Sequence, residues 1–227
     1  MVSIITSTVR DQNIDNVFEN FSRQKWCHKE LIIILNGENM MIEQWQDRAN
    51  QFTNVSLYQL PAHEPLGKCL NFAIHHAKHA TIAKFDDDDY YSPYYIPQAM
   101  KAFKEEQADI VGKQVLYTYL KPKKILGLRK ANQAIGGGTI SFRKKVFDQV
   151  QFPLRNNSED TQFLAMSRQK QFKIHSTDPY NYVSIRDYPM NHTWKQPIQA
   201  FLKKMYETVE TDCFIPIVTR EPSGGSE

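Results

Sequence analysis

The stretch Lys84-Phe85-Asp86-Asp87-Asp88-Asp89-Tyr90-Tyr91 places four consecutive carboxylates directly after a short apolar segment, residues 81–85, whose pattern predicts a buried strand. Adjacent carboxylates repel one another, so such a run needs a nearby cation or full solvation. Ligands usually bind at the carboxyl ends of strands in an α/β sheet, and carboxylate oxygens suit hard ions such as Mg²⁺ or Mn²⁺. The run therefore predicts a metal site that binds a diphosphate, with a solvated acidic turn as the alternative.

Strand and helix patterns alternate on the amino-terminal side of this run. Residues 2–7, 31–35 and 55–60 have strand patterns, and apolar residues at helical spacing lie between them. The continuous apolar run 31–35 is typical of a strand covered on both faces. Alternation at intervals of about 20 to 30 residues predicts an α/β fold with a mostly parallel central sheet flanked by helices.

The second half of the chain has a different pattern. Residues 110–120 and 124–128 predict two strands, an antiparallel pair turned at Lys121-Pro122-Lys123. A glycine run and a short strand at 139–142 follow, and a helix with a capped start is predicted near Ser158. Apolar residues at helical spacing over 198–209 predict a final helix, and the segment 223–226 predicts a flexible end.

Composition excludes several classes of protein. The chain has 227 residues, 41% hydrophobic and 23% charged, which is ordinary for a globular protein. Its net charge of +3 is too mild to indicate nucleic-acid binding.

One basic stretch is interpreted as a solvated hairpin, with contact to a phosphate-rich or acidic acceptor as the alternative. It contains Lys121, Lys123, Lys124, Arg129 and Lys130.

The cysteines and the amino terminus predict a cytoplasmic protein. Cys27, Cys69 and Cys213 are odd in number and lack metal-ligand spacing, which favours a reducing compartment. The amino terminus enters a strand pattern at once, without the basic and apolar regions of a signal peptide. The longest apolar run, 31–35, is far too short to span a membrane.

Other segments carry residue types suited to ligand binding. Thr6 and the Asn36-Gly37 turn follow neighbouring predicted strands and offer hydrogen-bonding groups for a nucleobase, with ordinary turn chemistry as the alternative. Gly136-Gly137-Gly138 allows a backbone to approach a ligand closely, or is a flexible turn. Asn157-Ser158-Glu159-Asp160 precedes a predicted helix, where acidic residues are commonly caps. The loops after the first, second and fourth strands should converge at one edge of the sheet.

In this order, the segments resemble the inverting family 2 glycosyltransferases, which have the nucleotide-diphospho-sugar transferase (GT-A) fold. The resemblance extends from Val2 to about Trp194. It includes the first two strands, Leu66-Gly67-Lys68-Cys69-Leu70-Asn71-Phe72-Ala73, the acidic run as the family's Asp-x-Asp motif, and Ser158-Glu159-Asp160-Thr161 as its Glu-Asp motif.

The resemblance implies a role for each matching residue. Asp160 would be the catalytic base, Asp88 would bind the metal, and His192 would be an additional metal or diphosphate contact. Residues implied to bind the nucleotide sugar are Thr6, Asn36, Lys68, Asp86 and Asp87. Residues implied on the acceptor side are Gly137, Gly138 and Glu159. The family often has an Asp pair where this chain has Asn36-Gly37, so the resemblance does not specify the nucleotide base.

The resemblance also implies domain organisation and activity. We expect one GT-A domain over residues 1–213, with a nucleotide-binding part (1–93) and an acceptor part (94–213) that includes a small antiparallel portion, then a flexible tail (214–227). The implied activity is inverting, Mn²⁺- or Mg²⁺-dependent transfer of a sugar from a nucleotide-diphosphate sugar to a glycan or other hydroxyl acceptor, in polysaccharide or surface-glycan synthesis.

Two other functions stay open. The first is a nucleotide-sugar-binding module without transferase activity, which released nucleoside diphosphate would exclude. The second is a nucleotidyltransferase, which would normally have a glycine-rich basic loop after the first strand. Residues 6–10 contain no glycine, so this function ranks last.

Overall fold

The larger of the two sheets has seven strands in the order β10-β6-β9-β4-β1-β2-β3. The computed structural model describes residues 1–187 and 196–223. All neighbouring strands in this sheet are parallel except β9, which runs antiparallel to β4 and β6, so the predicted mostly parallel central sheet is confirmed. The strands are β1 (Val2–Thr8), β2 (Lys29–Asn36), β3 (Val55–Leu60), β4 (Thr81–Lys84), β6 (Ile110–Gly112), β9 (Ser141–Arg143) and β10 (Ile174–Ser176).

Helices pack on both faces of this sheet, and the side chains of β2 point alternately to these two faces. Leu31 and Ile33 lie in one apolar cluster with α1, α2 and α4, while Ile32 and Ile34 lie in a second cluster with α3 and α5. A strand buried on both faces can therefore be apolar at every position. The helices are α1 (Ile14–Ser22), α2 (Ile42–Ala49), α3 (Leu66–His76), α4 (Tyr95–Glu105) and α5 (Glu159–Gln169).

A second sheet of five strands has the order β12-β8-β7-β11-β5. Its pairs are antiparallel apart from β11 and β7, so the expected antiparallel portion is present and is larger than the predicted hairpin. The strands are β5 (Tyr90–Tyr91), β7 (Val115–Leu120), β8 (Ile125–Lys130), β11 (Tyr182–Arg186) and β12 (Met205–Glu210).

The single strand predicted over 110–120 is two strands in different sheets. The backbone N–H of Lys113 donates to Thr139 Oγ1 at 2.9 Å, and that of Gln114 donates to Ser176 Oγ at 2.8 Å. These side-chain acceptors replace ladder partners at the point where the chain leaves the first sheet. The turn predicted at Lys121-Pro122-Lys123 is a short 3₁₀ helix between β7 and β8.

The long final helix predicted over 198–209 is wrong. A short helix, α6 (Ile198–Leu202), is followed by β12, which pairs antiparallel with β8. Spacing alone did not distinguish these outcomes, because Met205 and Val209 fit the helical pattern but pair with Arg129 and Leu126 across the sheet.

The carboxyl-terminal segment packs on the second sheet. Helix α7 (Ile215–Val218) buries Val218 completely, and the backbone N–H of Asn181 donates to the Val218 carbonyl at 2.7 Å. The tail predicted over 214–227 stays a prediction, although residues 215–218 form a helix that Val218 anchors to the second sheet. The division of the domain at residue 93 stays a prediction, and the first sheet takes three of its strands from beyond that point.

Candidate active site

The acidic run, residues 86–89, forms a turn between β4 and β5 that we call the acidic turn. Strand β1 lies between β2 and β4, so the chain leaves β1 on one side towards β2 and β3 and returns on the other side at β4. Ligand-binding crevices in open α/β sheets lie at such switch points, beyond the carboxyl ends of the strands. The acidic turn occupies this position.

Asp87 is buried and paired with Arg10, which follows β1. Arg10 Nε donates to Asp87 Oδ2 at 3.1 Å, and a second guanidinium nitrogen bonds Oδ1. Thr8 and Asn13 also donate to this carboxylate. Arg10 Nη1 lies 3.2 Å from Asp88 Oδ2, so one guanidinium serves two carboxylates. Part of the charge of the acidic turn is therefore neutralised by the protein itself.

Asp89 points away from the crevice, into the second sheet. Tyr182 donates its hydroxyl to Asp89, the backbone N–H of Ile185 donates at 3.0 Å, and Arg186 Nη1 lies 4.0 Å away. Burial raises the pKa of Asp89 to about 7, and the charge of Arg186 opposes that rise. These contacts join the acidic turn to β11.

Asp86 faces the crevice and is paired with Lys84, the last residue of β4. Its backbone N–H donates to Tyr91 Oη at 2.8 Å, and this hydroxyl donates to the Gly138 carbonyl at 2.6 Å. Tyr91 thus connects the start of the acidic turn to the glycine run. Its ring stacks on Phe85, with centroids 3.7 Å apart, which holds the hydroxyl in place.

Gly137 and Gly138, the glycine pair, separate the acidic turn from the start of α5. A Cβ on Gly137 would overlap the carboxylate of Asp160, and a Cβ on Gly138 would lie 2.8 Å from Asp86 Oδ2. Only glycine permits both approaches. Asp86 and Asp160 therefore both approach the glycine pair, and their implied roles at the donor site and as catalytic base stay predictions.

Helix α5 begins with Glu159 and Asp160. Asp160 Oδ1 accepts the backbone N–H of Thr161 at 2.6 Å. Glu159 is buried, and burial raises its pKa to about 7 while the neighbouring Lys84 ammonium lowers it. The capped start predicted at Ser158 is wrong: this residue has a left-handed backbone (φ 61°), and its side chain makes no capping hydrogen bond.

The remaining predicted residues lie in other surroundings. Thr6 is buried in β1, and Asn36 Nδ2 donates to the Pro61 carbonyl at 2.8 Å, which links the ends of β2 and β3. Lys68 lines a separate surface cavity with Phe72 and His75 of α3. Of the loops expected to converge at this edge of the sheet, the one after β1 reaches the acidic turn through Arg10. No described contact joins Asn36 or Lys68 to the acidic turn. His192 lies outside the described residues.

Two carboxylates of the acidic turn are accessible enough to reach a divalent ion. The side chains of Asp86 and Asp88 are 33% and 19% exposed, against 4% for Asp87 and 1% for Asp89. Within residues 1–187 and 196–223, no group of three His, Cys, Asp or Glu side chains could enclose a metal. Mg²⁺-type ions with nucleotides usually take one or two carboxylates, with water and phosphate oxygens as the other ligands. The accessible pair Asp86 and Asp88 fits that arrangement, and the resemblance implies the metal at Asp88.

Sequence reasoning assigned no role to the cations of the site. Lys84 and Arg10 bind the acidic turn, and Tyr91 and Tyr182 orient it. Both cations were visible in the sequence: Lys84 lies two residues before the acidic run, and Arg10 is the basic residue after β1. A buried run of carboxylates requires cations nearby, which was the signal for their role.

The sheet order, with the acidic turn at the switch point, defines an α/β fold of the GT-A class. The model of glycosyl transferase family 2 matches residues 3–174, and the chain belongs to this family. The comparison with curated proteins gives no match. None of the described helices is both long enough and apolar enough to cross a bilayer.

Solved structures that share this fold include proteins from two organisms. S. aureus TarS 1-349 aligns with a TM-score of 0.62 at 16% identity over 81% of this chain, and its complex with UDP-GlcNAc with 0.65 at 15% over 82%. The mannosyltransferase PcManGT from Pyrobaculum calidifontis, in complex with GDP-Man and Mn²⁺, aligns with 0.64 at 14% over 83%. This chain covers 60%, 58% and 57% of those chains, respectively. These identities show a shared fold.

Proposed function

We propose that this protein transfers a sugar from a nucleotide-diphosphate sugar to an acceptor hydroxyl, with inversion and with a divalent metal, in polysaccharide or surface-glycan synthesis. The observation that carries the proposal is the position of Asp86 and Asp160 on either side of the glycine pair. This arrangement leaves a donor-side carboxylate and a base-side carboxylate facing one narrow crevice.

Asp160 is the proposed general base. It sits in the first turn of α5, next to the glycine pair. Removal of the acceptor proton as the new bond forms would contribute about 10² to 10⁴ in rate. Thr161 fixes one oxygen through its backbone N–H, and the other oxygen is the one directed at Gly137.

Asp88 is the proposed metal residue, and Asp86 and Asp87 shape the donor site around it. A bound Mn²⁺ or Mg²⁺ would neutralise charge on the departing diphosphate. Arg10 pairs with Asp87 and also contacts Asp88, so an ion at Asp88 would share this carboxylate with the guanidinium. Among the neighbours of the same fold, one is described with UDP-GlcNAc and another with GDP-Man and Mn²⁺, which supports a uridine or guanosine diphosphate sugar as donor.

The reducing cytoplasm is the proposed compartment, since Cys27, Cys69 and Cys213 are all free thiols. Thr6, Asn36, Lys68 and His192 remain proposed donor-site residues, with the weaker support described above.

The test is a binding and turnover experiment with two variants. Calorimetry with UDP and GDP, with and without Mn²⁺, should show metal-dependent binding in the wild type, weakened at least about tenfold in Asp88→Ala, since charge-assisted contacts are worth roughly 1.5–3 kcal/mol. Asp160→Asn should bind nucleotide normally and lose transfer by about 10² or more.

Slow release of nucleoside diphosphate from nucleotide sugars separates an enzyme from a binding module. Wild-type protein that binds a nucleotide sugar but never releases the diphosphate, with any acceptor, would contradict the transferase and support the module. Full activity in Asp160→Asn would remove this residue from the base role.

A further inference from the structure

Lys84 is a buried cation between the two halves of the candidate site. Its side chain is 5% exposed, its Nζ pairs with Asp86, and the Gly137 carbonyl lies 3.4 Å from Nζ. Its backbone is fixed on both sides, because β4 pairs with β1 and the Lys84 N–H donates to the Ile140 carbonyl at 2.9 Å. The ammonium group therefore has little freedom to move.

Three carboxylates surround this ammonium. Burial alone would lower the pKa of Lys84, but the charges of Asp86, Glu159 and Asp160 outweigh burial and raise it. Asp86 comes from the acidic turn, and Glu159 and Asp160 come from the start of α5. Lys84 is thus a permanent positive charge shared by the donor-side and base-side carboxylates.

A buried charge of this kind is costly unless its partners are well placed. An apolar residue would fill the same space beside Ile82 without that cost, so packing alone does not explain a lysine here. Without the Lys84 ammonium, the three carboxylates would repel one another. The glycine pair lies so close to Asp86 and to Asp160 that neither carboxylate can move towards it.

We propose that Lys84 is a positioning residue for sugar transfer, whose ammonium group holds Asp86 and the Gly137 carbonyl in register with Asp160. The inference rests on the proposed function, since it assigns Lys84 a part in the same reaction. The titratable groups that face Glu159 and Asp160 are Lys84 and Asp86.

The test compares Lys84→Gln, which removes the charge, with Lys84→Arg, which keeps it. The base must be ionised, and loss of a nearby cation favours the protonated carboxyl. The acid limb of the kcat profile should therefore move to higher pH in Lys84→Gln, by about one unit. In Lys84→Arg the limb should stay where it is in the wild type, even if kcat falls.

A matched control removes an exposed lysine. Lys145→Gln breaks a surface pair with Asp109 (2.7 Å) and should leave both kcat and its pH profile unchanged. A purely structural role for Lys84 would lower kcat in both Lys84 variants without moving the acid limb, and that result would overturn the proposal.

A second readout does not need the enzyme to turn over. Titration of the Glu159 carboxyl by ¹³C NMR should give a pKa of about 7 in the wild type. The pKa should be higher in Lys84→Gln and unchanged in Lys84→Arg. Thermal melts show whether each variant is folded, and Lys84→Arg keeps the test available if Lys84→Gln is not. Equal Glu159 titrations in folded wild type and Lys84→Gln would contradict the proposal, whereas absence of transfer in the wild type would contradict only the proposed function.

Discussion

Arg10 and Asp87 form the ion pair on which the acidic turn depends. Asp87 is 3% exposed, so Arg10→Met would leave a buried carboxylate without its cation. We expect a loss of about 3 kcal/mol in the free energy of unfolding, measured by urea denaturation. The double variant Arg10→Met/Asp87→Asn should recover most of that loss, because it leaves no buried charge.

The control is an exposed pair, Lys124 and Asp212, at 2.5 Å. Lys124→Met should cost less than about 1 kcal/mol, because solvent screens the two exposed charges. A loss of similar size in Arg10→Met would mean that the buried pair contributes no more than a surface pair.

At the scale of single residues, the carboxylates were predictable and their partners were not. The run 86–89 and Glu159-Asp160 are visible in the sequence as clusters of one charge. Arg10 lies 77 residues from Asp87, and Tyr182 lies 93 residues from Asp89. Nothing in local spacing indicates that such residues meet, because their contacts depend on the long-range pairing of β1 with β4 and of β5 with β11.

At the scale of elements, the glycine pair determines where α5 can start. Gly137→Ala would place a methyl group on the carboxylate of Asp160 and displace the proposed base. Since a displacement of about 1 Å can cost about 10² in rate, we expect transfer to fall by that factor while nucleotide binding, followed by calorimetry, is retained.

Gly136→Ala is the matched control in the same loop. Its new methyl group would lie 2.7 Å from the terminal Leu116 Cδ2, which can rotate away, and 3.7 Å from the nearest backbone atom, the Lys113 carbonyl oxygen. Near-normal transfer in Gly136→Ala with a strong loss in Gly137→Ala would support the contact with Asp160. Equal losses would indicate a general requirement for loop flexibility instead.

The strands and helices of the first half were predictable because one physical signal dominates there. β2 is apolar throughout, and α1 carries Val17, Phe18 and Phe21 on one face. In the second half the signals conflict. The 3.6-residue spacing of Phe201, Met205 and Val209 satisfies a helix, but the edge of β8 offers unpaired backbone groups that a strand can bind. Long-range pairing overrides local pattern in that case.

At the scale of the whole molecule, α7 closes the second sheet. Phe214 packs on Tyr119 and Tyr90, with ring centroids 4.9 and 5.4 Å away, and Val218 is fully buried. Truncation after Cys213 should therefore destabilise the protein by roughly 3–5 kcal/mol, the value of burying two such side chains. Urea unfolding would measure the loss.

Truncation after Glu221 is the control, because it keeps α7 and the contact of Arg220 with Asn181 (2.8 Å). Its unfolding midpoint should match that of the full chain. Equal stability of the two truncated proteins would mean that α7 contributes nothing to the fold.

Tyr91 sets a limit on how the acidic turn can vary. Its hydroxyl closes a ring with the amide of Asp86 and also reaches Gly138, so the intervening peptide has one permitted length. An inserted or deleted residue would detach the hydroxyl from both partners. Natural variants of this protein should therefore conserve the number of residues between Asp86 and Tyr91, and loop-length changes should accumulate elsewhere.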